Sequence, residues 1–411
     1  MPPSETDSNL SRSARRAPAT RSRFLRSGDE AGTAPGDRTF RPDVEGLRAV
    51  AVLVVVLFHM FVTAHSSTFS GGYIGVDVFF VISGFVITGL LLRELEDEQT
   101  IGLLAFYARR ARRIIPAMVL VMVTALVIDR TLVSAVATNL LADDAKWSSV
   151  FLANFHLASE YPTYLVHRPE SPLQNYWSLA VEEQFYVVYP VFILFFASKL
   201  RRWSLRAKLT TFLGIAVVAS FVWFVTTTTY VSLAYSPFGR AWELGLGALV
   251  AVSTAHLKSL PRPIAATIAW LGLAGIVVAA TCFSLTSRDP ALVAGLPAVS
   301  GALLIAGGTA APFYGPEMIL GLLPFKWIGR WSYSLYLWHW PVLVIAAQYW
   351  GAPTVTRNLW LGGFSLLISI ASYFFVENPF RHSTFLTRSS VASIATGGIL
   401  LCICWTVAAA L

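Results

Sequence analysis

The chain has 411 residues, of which 55% are hydrophobic and 13% charged, and its mean hydropathy is +0.61. Soluble domains carry roughly 25% charged residues, so this composition excludes an ordinary water-soluble protein and points to a polytopic membrane protein. The formal net charge is +8, and no nucleic-acid partner is expected. Cys282, Cys402 and Cys404 all sit in apolar runs, which fits packing and excludes a disulfide framework or a zinc site.

Residues 1 to about 40 are rich in Ser, Arg, Pro, Gly and Thr, without hydrophobic periodicity, and are expected to form a disordered, basic cytoplasmic tail. No apolar h-region precedes a cleavage site, so the tail is not a signal peptide. Apolar runs of spanning length follow near 47–65, 73–93, 114–133, 178–198, 209–229, 238–256, 264–284, 291–310, 328–348, 358–377 and 391–411. The expected fold is an all-α integral membrane protein. With the N-terminus inside, only Arg130, Lys146, Arg168, Arg240, Arg288 and Arg357 fall outside, leaving 25 of the 31 basic residues on the cytoplasmic side. The longest external connection, about 134–177, carries Trp147, Phe151, Phe155, Tyr161 and Tyr164, and reads either as a lid over a cavity or as an interfacial aromatic belt.

Ionisable residues within spans are costly and usually line a functional cavity. Arg48 and His59 are eleven residues apart in the first span, which on a helix is about 16 Å of rise and roughly 20° beyond three turns. They therefore share a face, with Arg suited to phosphate or carboxylate and His to proton transfer. A buried His beside a snorkelling Arg is the plain alternative. Asp77 opens the second span, free to orient His59, pair with an Arg or cap the helix, and Ser83-Gly84 follows. Arg109, Arg110, Arg112 and Arg113 form a basic cluster before Pro116, either topogenic or able to hold a donor with several phosphates.

Trp177 to Tyr186 is the densest polar stretch. Glu182 and Tyr186 share a face at i and i+4, whereas Glu183 is expected to point elsewhere. Arg240, Glu243, Tyr336 and His339 complete the polar residues of the spans.

These stretches together resemble the membrane domain of the acyltransferase-3 family. They are Phe40 to Arg48 leading to His59, including Asp43; Gly72 to Gly84; Arg109 to Arg113; Trp177 to Tyr186; and Tyr333 to Pro341. The resemblance implies a bacterial inner-membrane enzyme that moves an acyl group, expected to be acetyl, from cytoplasmic acyl-CoA to a hydroxyl of an extracytoplasmic carbohydrate or glycolipid. It needs no metal. The family's Arg-x10-His motif falls on Arg48 and His59, and its Arg-x-x-Arg motif on Arg110 and Arg113, with Arg109 and Arg112 equally spaced. The Glu of Trp-Ser-Leu-x-x-Glu falls on Glu182. His59, Asp77 and Glu182 are thus the catalytic candidates; Arg48, Arg109, Arg110, Arg112 and Arg113 are the donor-binding ones. Asp43, Ser83, Tyr186, Arg240, Glu243, Tyr336 and His339 are further cavity candidates.

Relatives with ten spans add an eleventh to reach a fused extracytoplasmic SGNH-type domain. The division expected here is tail 1–40, acyltransferase domain 41–385 and an additional helix 386–411, either stand-alone or cut before such a domain. The rival readings are a transporter or flippase for lipid-linked saccharides and a scaffold that needs an associated hydrolase.

Overall fold

Every predicted apolar span is a helix in the computed structural model, which describes residues 41–160, 170–198, 204–227, 235–284, 287, 289–311 and 313–411. The predicted tail, Tyr161, Tyr164, Arg168, Arg288 and the basic residues at 199–202 lie outside the described residues. In chain order the helices are α1 (Pro42–Val62), α2 (Gly75–Glu98), α3 (Leu103–Leu132), α4 (Ala135–Ser149), α5 (Ala153–Glu160), α6 (Tyr176–Ser198) and α7 (Leu205–Thr227). They continue with α8 (Pro237–Val252), α9 (Arg262–Cys282), α10 (Pro290–Ala310), α11 (Leu323–Trp350), α12 (Val355–Ser372) and α13 (Ser390–Ala410).

Among the described residues, nine helical segments are long and apolar enough to cross a membrane, and the protein is an all-α integral membrane protein. The two other predicted spans also fall on helices. Of these, α8 has 16 residues and α11 has 28, with Pro341 in its interior.

Small residues set how closely helices approach. An added Cβ at Gly84 would meet the Leu244 carbonyl oxygen at 1.8 Å, and one at Gly247 would meet that of Val81 at 1.9 Å. Helices α2 and α8 are therefore in backbone contact, as small residues allow in membranes. Elsewhere α1 packs on α11, α9 on α10, and α13 on α3 and α4.

Two differences from the sequence reading bear on the site. Helix α3 starts at Leu103, so the arginine cluster lies inside a helix rather than ahead of one. Arg propagates helix well, and Pro116 is accommodated in the helix interior. The 134–177 connection contains α4 and α5, joined by Phe151 at φ 56°. His156 of α5 stacks on Trp147 of α4 and lies 3.0 Å from Asp144, so part of its aromatic content holds the two helices together.

Candidate active site

The helical placement of the arginine cluster sorts its four side chains, because neighbouring positions point about 100° apart. Arg110 and Arg113, three apart, face a cavity that Arg48 of α1 also lines. Arg109 instead donates to Glu94 at 2.8 Å, where Glu94 also accepts from the Gly102 amide. Arg112 donates to Ser393 Oγ of α13 at 2.8 Å and to the Leu386 carbonyl. The structure thus places the 110/113 pair on the cavity and turns the equally spaced 109/112 pair toward other partners.

The cavity, about 120 Å³ in volume, lies between α1, α2, α3, α6 and α11. Its apolar wall includes Val76, Phe79, Phe80 and Ile82 of α2, with Ile114 and Leu179 opposite. Two carboxylates line it, Glu182 and Glu183. Here the expectation that Glu183 points elsewhere is corrected: a helix facing a wide cleft presents an arc of 100° or more, so adjacent residues can flank it. Ser83 Oγ donates to Glu182 Oε1 at 2.5 Å, and Tyr186 donates to the same oxygen. The Arg110 guanidinium lies 4.7 Å from the Tyr186 ring centroid, a cation–π contact. Ser332 Oγ and Glu183 Oε1 are buried without a hydrogen-bond partner among the described residues, and both residues line the cavity. Such orphaned polar atoms suit a site shaped for a polar ligand.

Sequence reasoning did not single out Ser178, Ser332 or Tyr333 as wall residues. Ser178 lies at i−4 from Glu182, a spacing that carries the signal; Ser332 and Tyr333 sit at the edge of the Tyr333 to Pro341 stretch without a separate one. Arg113 also lies within electrostatic range of Arg48, Arg381 and Glu377, and Glu377 accepts from Ser334 Oγ at 2.8 Å. Tyr373–Glu377 is a π-helical turn, a form that occurs frequently at functional sites.

Asp77 does not reach His59. Its Oδ1 accepts from Arg240 Nη1 at 2.8 Å, and the same nitrogen donates to Glu243 Oε1 at 2.7 Å. This buried triad ties α2 to α8 behind the cavity wall. Asp43 is buried in the first turn of α1 and likewise lies off the wall.

His59 is three helical turns beyond Arg48, past the cavity lining. Its Nδ1 lies 3.1 Å from Nε2 of the fully buried His339, and its ring packs 4.5 Å from that of Trp340. Tyr336 joins the two regions. It lines the cavity, while its ring is 5.6 Å from that of His339. Its hydroxyl bonds Ser178 Oγ at 2.6 Å and the Asn175 carbonyl at 3.0 Å. Among the described residues, no group of three or more His, Cys, Asp or Glu is placed to hold a metal ion.

A multi-helix bundle carrying these motifs in this order belongs to the acyltransferase-3 family of integral membrane proteins. The family model, an acyltransferase domain, matches residues 41–376. Among its relatives, the chain is 32% identical over 364 residues to the peptidoglycan O-acetyltransferase OatA of Listeria monocytogenes, covering 85% of this chain and 57% of that protein. It is 30% identical over 361 residues to the O-acetyltransferase OatA of Staphylococcus aureus, covering 84% and 58%. It is 31% identical over 381 residues to the putative peptidoglycan O-acetyltransferase YrhL of Bacillus subtilis, covering 85% and 56%. The chain therefore spans less than two thirds of the length of these curated relatives. No solved structure matches it.

Proposed function

We propose that this protein transfers an acetyl group from cytoplasmic acetyl-CoA to a hydroxyl of a cell-envelope glycan on the other face of the membrane. The observation that carries this reading is the cavity in which Arg48, Arg110 and Arg113 converge, with His59 three turns further along the helix that bears Arg48. Guanidinium groups suit the phosphates of the donor. The flexible pantetheine arm would then extend the thioester along α1 toward His59, past Tyr336. The excess of basic residues in the predicted cytoplasmic segments supports donor entry from that side. The names of the relatives support a peptidoglycan acceptor.

In the transfer step His59 takes the proton of the acceptor hydroxyl as its oxygen attacks the thioester carbonyl. A carbon–oxygen bond forms and the carbon–sulfur bond breaks. The departing thiolate receives the proton from His59, leaving free CoA and an O-acetyl ester. Glu182, held by Ser83 and Tyr186, and Glu183 polarise the cavity without contacting His59. The test is transfer from [14C]acetyl-CoA supplied to inside-out membrane vesicles of cells expressing the chain. Label should appear in base-labile ester on envelope glycan, with one free thiol per ester. Glycan that moves across the membrane without thiol release would instead establish a transporter.

A further inference from the structure

In the transfer proposed above His339 does nothing, although it touches the base. It is fully buried on α11. Its Nδ1 lies 3.0 Å from the carbonyl oxygen of Leu335, one turn earlier in the same helix. A carbonyl oxygen can only accept, so Nδ1 of His339 carries a proton. Neutral imidazole has a single N–H, which leaves Nε2 of His339 as an acceptor. A second proton there would bury a cation against a neutral ring, which is costly.

That acceptor lies 3.1 Å from Nδ1 of His59. The contact is a hydrogen bond only if Nδ1 of His59 carries the proton, which leaves the lone pair on Nε2. The chain of assignments begins at a backbone carbonyl, a group with no alternative role. Packing fixes the rings as well as the protons: His59 and His339 stack with centroids 5.2 Å apart at 29°, and the Phe58 and Trp340 rings lie 5.0 and 4.5 Å from His59. His59 is nevertheless only partly buried, and its Nε2 is not among the buried side-chain atoms left without a partner.

We infer that His339 is a positioning residue that holds His59 as its Nδ1–H tautomer and so makes Nε2 the atom that takes the acceptor proton. This rests on His59 being the base of the proposed transfer. The partner's chemistry suits the reaction. A carboxylate in place of His339 would stabilise the imidazolium and retain its proton; a neutral imidazole fixes orientation and lets the proton return to the departing sulfur.

The test compares His339→Leu, which fills the space without an acceptor, with His339→Gln, whose amide oxygen can occupy the place of Nε2. In inside-out vesicles supplied with [14C]acetyl-CoA, His339→Leu should lower kcat by about 10² or more, the scale of a misplaced general base, with KM for acetyl-CoA unchanged. His339→Gln should stay within about tenfold of wild type, since it preserves the accepted bond. A His339→Leu protein with wild-type kcat, or a folded His339→Gln protein as inactive as His339→Leu, overturns the inference. His59→Ala run beside them separates the two levels: its retention of activity sinks the base itself, whereas an inactive His59→Ala with an active His339→Leu sinks only the positioning. Nitrogen-15 spectra of histidine-labelled wild-type protein in detergent, with the His59 signals identified by their loss in His59→Asn, read the tautomer without any assay. Protonation of His59 on Nε2 rather than Nδ1 would also overturn it.

Discussion

The hydroxyls of Ser178 and Tyr336 lie 2.6 Å apart, and this bond closes the cavity wall against which His339 packs. Tyr336 therefore stands where the arginine-lined cavity meets the histidine pair. Removing the ring in Tyr336→Ala should widen the passage between them and admit water to the thioester. Hydrolysis of acetyl-CoA should rise several-fold relative to transfer, and Tyr336→Phe, which keeps the ring and loses both hydroxyl bonds, should fall between. The ratio of free thiol to glycan ester measures this, and an unchanged ratio in the Ala variant would mean that Tyr336 does not control water at this passage.

His59→Ala should lower transfer by about 10² to 10⁴, the usual loss for a general base, with acetyl-CoA binding retained. Binding is measured by calorimetry on purified protein and transfer in vesicles. Activity within a few-fold of wild type would dismiss His59 as the base.

The sorting of the arginine cluster gives a paired comparison. Arg110→Gln with Arg113→Gln should weaken acetyl-CoA binding at least tenfold, since a hydrogen bond to a charged group contributes about 1.5–3 kcal/mol. Arg109→Gln with Arg112→Gln should leave that affinity near wild type and lower thermal stability instead, through the contacts to Glu94, Leu386 and Ser393. Equal losses of affinity in both pairs would mean that the cluster acts only through its total charge.

Arg240→Met leaves Asp77 and Glu243 buried together without their shared cation. Breaking a buried ion pair on one side costs about 3–5 kcal/mol, so the variant should lose most of its folded yield in detergent. Replacing all three by apolar residues of similar size should recover much of it. If the single variant is as stable as wild type, the triad is not what ties α2 to α8.

Sidedness can be read with single cysteines after replacing the exposed Cys282 and Cys402. A cysteine at Ser259, in the exposed turn after α8, should be protected from an impermeant thiol reagent in intact cells. One at Glu170, also exposed, should react. The reverse pattern would invert the direction of transfer.

Hydropathy located every predicted span, though not α4 and α5 of the 134–177 connection, because a span must satisfy its backbone internally and bury twenty or so apolar residues, and both demands are written locally. The start of α3 was not legible, since amphipathic, Arg-rich turns ahead of an apolar run look like a loop. The spacing of Arg48 and His59 put them on one face, yet spacing within a helix says nothing of what stands between, and Tyr336 comes from α11. The pairing of Asp77 with Arg240 and of His59 with His339 joins residues 163 and 280 positions apart. Such contacts are set by how helices pack. Glu183 was misread because a single-face pattern describes a helix against a flat neighbour and not one that borders a cleft.

The close approach of α2 and α8 has a mechanical consequence. Gly84, Gly247 and the Asp77–Arg240 bond hold these helices together at two levels, so sliding or rotation of the helix bearing Ser83 and Phe79 would cost close backbone packing and a buried ion pair. The facing helices α3, α6 and α11 each contain an interior proline, Pro116, Pro190 and Pro341. Each proline deletes one rung of the hydrogen-bond ladder and makes its helix easier to bend there. The cavity is thus built like a vice with one fixed jaw. Widening of the cavity is therefore expected on the proline-bearing side, which carries Arg110, Arg113 and the turn with His339.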